Sequence, residues 1–168
     1  MISESARATS QSESAYRVPY RNSRERAVKV IALDSTSAAL LDELARLPWN
    51  GARFFTAAPP IRENAPKEGA LKAWLADLAG HTMDLVAEVS QSDFVVVVAS
   101  AGEDARSASV IAEICALRHK TLIALVVPSA DDEDAVLASL KQLRPYAKML
   151  VVTHGRDYVE TMLSALRA

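Results

Sequence analysis

The chain has 168 residues, of which 50% are hydrophobic and 24% are charged, and its formal net charge is −2 at pH 7. These proportions are ordinary for a globular chain that buries a core, and the length suits one domain of roughly 100–200 residues. The nearly balanced charge argues against the basic surface that nucleic-acid-binding and membrane-surface proteins usually carry. Neither nucleic acid nor a membrane is therefore expected as a partner.

The first 26 residues are rich in Ser, Arg and Glu. We predict that residues 1–26 form a mobile polar tail and that residues 27–168 form a single α/β domain. The alternative for the tail is an arm that binds a partner, because Tyr16 and Tyr20 near Pro19 would suit an interface. The tail lacks the apolar core of a signal peptide, and no apolar run approaches the ~20 residues that span a bilayer. We therefore expect a cytoplasmic protein.

Five apolar runs with little alternation predict buried parallel strands, because strands covered by helices on both faces lose the polar half of the pattern. They are 27–34, 52–57, 94–99, 121–127 and 148–153. Helical spacing of apolar residues predicts helices over 38–47, 67–78, 82–90 and 103–118, one opened by the acids at 131–134, and one over 157–166. With right-handed crossovers, this order predicts a three-layer, doubly wound α/β sandwich. Its five-stranded parallel sheet has the Rossmann-like order 2-1-3-4-5.

Folds of this kind bind ligands at the carboxyl ends of the strands, at the switch point between the first and third strands. The candidate ligand-binding residues on this rim are Asp34, Ser35, Thr36, Ser100, Ala101, Gly102, Arg106, Ser129, Thr153 and His154. Small hydroxyl side chains there suit an anion or a sugar, and they equally suit helix caps. Both Ser100-x-x-Glu103 and Ser129-x-x-Asp132 fit the capping box, so the two roles stay open.

The sequence lacks the motifs that would assign a reaction. Neither GxGxxG nor GxxxxGK[ST] occurs, and no G-x-S-x-G elbow is present. Glu103 and Asp104 stand where a helix N-terminus would offer its amides to a phosphate, which disfavours a nucleotide triphosphate. Cys115, the single cysteine, falls in the apolar stripe of a predicted helix and reads as a core residue. The three histidines are scattered, so no metal site is predicted, and the catalytic residues stay unknown.

Six segments share a pattern with a known family: VKVI at 28–31, GARFF at 51–55, SDFVVVVA at 92–99, VIAEI at 110–114, TLIALVV at 121–127 and LKQLRPYAKMLVV at 140–152. Together they resemble the nucleotide-binding half of the bacterial cell-division GTPase FtsZ and its tubulin relatives, over about 27–158. The resemblance implies an FtsZ-like, Rossmann-type scaffold. The family's glycine-rich phosphate loop would fall between Ala99 and Ser107, where this chain has SAGEDAR.

The altered loop leads to a functional hypothesis. Because the glycine-rich loop is replaced and the family's second domain does not follow within these 168 residues, GTPase activity is not expected and no cofactor is predicted. We predict a non-catalytic FtsZ-like domain that acts by binding a protein partner or by forming a homodimer. The alternative is a small-ligand or nucleotide-binding protein or enzyme that uses the crevice at the strand ends.

Overall fold

A computed structural model describes residues 25–57, 74–77, 82–128, 132–153 and 155–168. Its strands are β1 (Val28–Ala32), β2 (Ala52–Ala57), β3 (Trp74–Asp77), β4 (Thr82–Asp84), β5 (Phe94–Ser100), β6 (Thr121–Val127) and β7 (Met149–Val152). Its helices are α1 (Ser35–Leu44), α2 (Leu85–Ser90), α3 (Ser107–Leu117), α4 (Glu133–Leu143) and α5 (Arg156–Ala165).

The strands form one sheet in the order β4-β3-β2-β1-β5-β6-β7. The five neighbouring strands β2-β1-β5-β6-β7 are all parallel, and β1 pairs with β2 on one side and with β5 on the other. This confirms the predicted α/β fold and its strand order 2-1-3-4-5. In the register, Val30 of β1 lies between Phe54 of β2 and Val96 of β5.

Two antiparallel strands extend the sheet beyond the prediction. β3 pairs antiparallel with β2, and β4 pairs antiparallel with β3. The predicted helix over 67–78 is therefore wrong at 74–77, its other residues lying outside the described ranges, and the predicted helix over 82–90 is wrong at 82–84. A short run satisfies helical and strand spacing alike, so strand pairing, of β3 with β2 and of β4 with β3, decides the outcome.

The core consists of two apolar layers, one on each face of the sheet, and β5 belongs to both. Val95 and Val97 face the layer covered by α2, α3 and α4, while Val96 and Val98 face the layer covered by α1 and α5. All four valines are 0% exposed. A strand with apolar side chains on both faces must be covered twice, which is why the consecutive valines predict a central strand correctly.

The start of the domain is held against its end. The predicted tail falls on residues outside the described ranges, except for Glu25 and Arg26. The backbone N–H of Arg26 donates to the carbonyl of Arg167 at 3.1 Å, and its guanidinium lies 5.8 Å from the ring centroid of Phe94. A Cβ on Gly51 would lie 2.1 Å from the carbonyl oxygen of Arg26, so only glycine fits that approach.

A buried ion cluster attaches α2 to the sheet. Lys29 of β1 is 4% exposed and Glu88 of α2 is 5% exposed. Oε2 of Glu88 lies 2.8 Å from Nζ of Lys29, and Nη1 of Arg53 on β2 donates to both carboxylate oxygens at 2.9 Å. Both cations also lie near the ring of Phe55, at 5.9 Å and 5.3 Å from its centroid. One carboxylate thus joins a helix to two strands.

Removal of the Glu88 carboxylate should destabilise the fold, because the carboxylate is buried together with the ammonium of Lys29. Glu88→Ala leaves the buried ammonium of Lys29 without its partner, and we expect the free energy of unfolding to fall by about 3–5 kcal/mol in urea denaturation. Glu43→Ala is the matched control, because Glu43 of α1 makes an exposed pair with Arg156 at 2.8 Å. Loss of that pair should cost at most about 1 kcal/mol. Equal losses in the two variants would contradict the assignment, and Lys29→Met combined with Glu88→Leu should recover most of the loss.

Candidate functional site

The predicted rim exists at the carboxyl edge of the sheet, where β1 and β5 end side by side. Because α1 follows β1 and the next helices follow β5 on the opposite face, this is the switch point of the fold. Leu33, just beyond β1, donates its backbone N–H to the carbonyl of Val98 at 2.9 Å. The pairing of the two strands therefore continues up to Asp34 and Ser100.

Asp34 uses both of its carboxylate oxygens at this point. Oδ1 accepts the backbone N–H of Ser37 at 2.7 Å, and Oδ2 accepts the backbone N–H of Ser100 at 2.7 Å. The backbone N–H of Asp34 in turn donates to Oγ of Ser37 at 3.2 Å. Asp34 is therefore the N-cap of α1 in a reciprocal capping box, and it also joins the ends of β1 and β5.

The position of this carboxylate decides the electrostatics of the rim. In α/β folds the N-terminus of the first helix is the usual place for a bound phosphate, which needs free amides and no competing negative charge. Here the Asp34 carboxylate already accepts an amide of the first turn of α1. Ser35 and Thr36, the other two candidates on this turn, are exposed. The protein thus supplies its own anion at the switch point.

Residues 101–106 form a turn instead of the first turn of a helix. α3 begins at Ser107 and its N-cap, Arg106, makes no side-chain capping bond, so the predicted capping box of Ser100 and Glu103 is wrong. Glu103 instead donates its backbone N–H to the carbonyl of Ser100 at 3.2 Å. Gly102 has φ +82°, a left-handed conformation that cannot continue into a helix.

Arg106 is engaged within this turn. Its Nε donates to the two carboxylate oxygens of Asp104 at 3.0 and 2.8 Å, and its Nη2 donates to Oδ2 at 2.6 Å. The hydrogen bond and the charge of Asp104 raise the pKa of the Arg106 guanidinium above its usual value. The arginine that the sequence placed on the rim is therefore neutralised by an acid of its own turn.

The turn is also bound to α4 through a contact that no local pattern predicts. The backbone N–H of Gly102 donates to Oγ of Ser139 at 3.0 Å, across 37 residues of sequence. Ser139 is 2% exposed.

Ser37 is likewise absent from the site residues predicted from the sequence, although a serine three residues after an N-cap aspartate is a local signal for a capping box.

The remaining candidates lie on the loops that follow β6 and β7. Ser129 and His154 fall outside the described residues, and the predicted capping box of Ser129 is wrong because Asp132 itself caps α4 by accepting the N–H of Ala135 at 3.0 Å. Thr153 is 0% exposed, and its hydroxyl donates to the carbonyl of Val126 at 3.2 Å. Its role is thus to hold β7 against β6.

Ser100 and Gly155 differ from the other rim residues. Ser100 is 2% exposed, and in the described part of the chain its hydroxyl makes no hydrogen bond. Alternation from Val98 directs its side chain towards the face covered by α1 and α5. Gly155, the N-cap of α5, has φ +100° and no side-chain cap, and a Cβ there would meet nothing within 4 Å. Ala101, 9% exposed, packs into the core.

Neither a metal site nor a spanning helix is found in the ranges that the structure describes. Among those residues, no group of three or more His, Cys, Asp or Glu side chains is placed to hold a metal ion. Of the five described helices, none combines the length and the apolar character that crossing a bilayer requires.

Comparison with known proteins adds no assignment: no protein-family model matches the chain, and no curated protein matches it. The resemblance to the FtsZ and tubulin family therefore stays a prediction from the sequence. The site has to be interpreted from its own geometry.

Asp34 makes two contacts of different kinds, and their loss can be measured against a simpler cap. We expect Asp34→Ala to lower the free energy of unfolding by about 2–4 kcal/mol, because it removes a helix cap and leaves the amide of Ser100 without an acceptor. Asp132→Ala removes only an exposed cap and should cost about 1 kcal/mol. Urea denaturation of both variants tests this, and equal losses would show that the bond to Ser100 contributes nothing.

Cys115 offers a test with pH. It is 1% exposed, and burial raises the pKa of its thiol to about 11. The pKa of a cysteine thiol in an unfolded chain is about 8.5. Burial of the neutral thiol therefore contributes its full stabilisation below that pH, and this stabilisation is lost as the pH rises towards the pKa of the folded protein. Between pH 8 and pH 11, we expect the unfolding free energy of the wild type to fall by about 2–3 kcal/mol more than that of Cys115→Ala. Parallel curves for the two proteins would contradict the burial of the thiol.

Proposed function

We propose that this chain is a non-catalytic, FtsZ-like Rossmann-type domain that acts by binding protein, foremost a second copy of itself. The observation that carries the proposal is the carboxylate of Asp34, which lies 2.7 Å from the backbone nitrogens of both Ser37 and Ser100. The place where this fold class binds phosphate is thereby occupied by a negative charge of the chain itself.

Repulsion between the Asp34 carboxylate and a phosphate would be large enough to prevent tight binding of an anionic ligand. Two unit charges about 4 Å apart interact by about 4 kcal/mol at an effective dielectric constant of about 20. Since about 1.4 kcal/mol corresponds to a factor of ten in affinity, a phosphate at the N-terminus of α1 would bind about a thousandfold more weakly than beside a neutral residue. Arg106, the candidate cation of the rim, is already paired with Asp104 and offers little compensation.

The edge of the sheet at β7, unlike the rim, favours binding of another chain. Among the strands that the structure describes, β7 is the outermost on its side, and its residues are partly or largely exposed, whereas every residue of β5 is buried. Met149 at its start is 46% exposed and the preceding Tyr146 is 42% exposed. An edge strand presents backbone N–H and C=O groups that pair readily with another chain, so this edge favours association.

The ligand side of the proposal is tested by removing the charge of Asp34. Wild-type protein should show no change in melting temperature with GDP, GTP or inorganic phosphate. Asp34→Asn keeps the shape and a capping oxygen but is neutral, so we expect millimolar phosphate to stabilise this variant and not the wild type.

A different result would reject the proposal. A nucleotide present at 100 times its dissociation constant stabilises a folded protein by about 2.7 kcal/mol, which a melting curve detects readily. Stabilisation of the wild type by GTP or GDP of that size would identify the chain as a nucleotide binder.

The second candidate function is a small-ligand protein or enzyme that uses the rim between α1 and α5. One observation favours it: Gly155, the N-cap of α5, provides no side-chain cap and borders open space. A melting-temperature panel of sugars, dinucleotides and acyl-CoA, repeated on Ser100→Ala, discriminates the two candidates. A rise in melting temperature that Ser100→Ala abolishes supports the small-ligand function. If no compound changes the melting temperature, the association function is favoured.

A further inference from the structure

One flank of α4 is identified by its contact with the β5–α3 turn. Ser139 accepts the N–H of Gly102 at 3.0 Å, and a Cβ on Gly102 would lie 3.2 Å from Cβ of Ala135. Since that turn leads into α3, the flank that carries Ala135 and Ser139 faces α3. Val136, Leu140 and Leu143 point down into the core.

The other flank of α4 therefore faces the open edge at β7. At 3.6 residues per turn, the residues on the side of the helix opposite Ala135 and Ser139 are Glu133, Leu137, Lys141 and Arg144. All four are exposed, and Leu137 is 51% exposed although it is apolar. We call these four residues the α4 flank.

The charges of the α4 flank are arranged in order along the helix. Glu133 is in its first turn, Leu137 follows four residues later, and Lys141 follows after four more, so each step is about 6 Å. Within the described residues none of the charged members of the flank makes an ion pair. The flank thus presents an acid, an apolar residue and a base at equal spacing, with Arg144 beyond them at the C-cap of the helix.

We infer that the α4 flank is the surface through which two copies of this chain associate. A two-fold axis through Leu137 sets two α4 helices antiparallel, so that Glu133 of each copy meets Lys141 of the other and the two Leu137 side chains meet at the centre. A two-fold interface requires one patch to complement itself, and the order acid, apolar, base does so. This inference rests on the self-association proposed above and names its surface.

The same axis also brings the two sheet edges together. α4 connects the parallel strands β6 and β7 and therefore runs antiparallel to β7, so antiparallel α4 helices imply antiparallel β7 strands. The exposed Tyr146 and Met149 then lie beside the joint. Pairing of the two edges satisfies the outward backbone groups of β7, which a lone edge strand leaves to water.

Sedimentation equilibrium of the full chain over a range of concentrations tests the inference. The wild type should show a reversible dimer. Glu133→Lys and Lys141→Glu should each weaken dimerisation by about tenfold or more, because like charges then face each other. The double variant Glu133→Lys/Lys141→Glu restores opposite charges across the axis and should recover the dimer. Recovery of this kind cannot come from a general effect on folding.

Leu137→Asp is compared with Leu117→Asp as its matched control. Leu117 is 67% exposed and lies at the end of α3, away from the α4 flank. We expect Leu137→Asp to abolish the dimer and Leu117→Asp to leave it intact, with unchanged urea midpoints for the monomers.

The outcomes separate the surface from the function it rests on. A wild type that stays monomeric at every concentration rejects self-association itself. A wild-type dimer that Leu137→Asp does not weaken more than Leu117→Asp keeps self-association and rejects the α4 flank. A dimer that both single charge variants weaken but the double variant does not restore rejects the antiparallel arrangement.

Discussion

The carboxyl edge of this protein depends on one carboxylate. Asp34 caps α1 and, across 66 residues of sequence, accepts the amide of Ser100. The bond therefore aligns the ends of β1 and β5 and at the same time fills the place where related folds bind an anion. The residue that completes the scaffold therefore also places a negative charge at the switch point.

The buried carboxylate of this fold is paired internally, whereas an exposed acid and an exposed base lie along one flank of α4. Glu88 is shared by Lys29 and Arg53. On α4, by contrast, Glu133 and Lys141 make no ion pair within the described residues. Since buried charges must be paired for the fold to be stable, they carry little information on function. The exposed charges on the two sides of Leu137 complement each other across a two-fold axis, which is why we place the interface there.

The parallel core could be predicted closely because burial on both faces leaves a direct mark on composition. The predicted strands at 52–57 and 121–127 match β2 and β6 at both ends. The two antiparallel strands β3 and β4 could not be predicted in the same way. Short runs fit two periodicities, and the pairing of β3 with β2 and of β4 with β3 is a tertiary event.

The sequence by itself determined the order of the parallel strands, the burial of Cys115 and the position of the rim, because each depends on local patterns of apolar residues. Only the tertiary structure decided what the rim can do. The contacts from Asp34 to Ser100 and from Gly102 to Ser139 join residues 66 and 37 positions apart, and no periodicity encodes such pairs. The direction of the α4 flank is likewise set by what lies beside the helix, because spacing along a helix shows which residues share a side but not what that side faces.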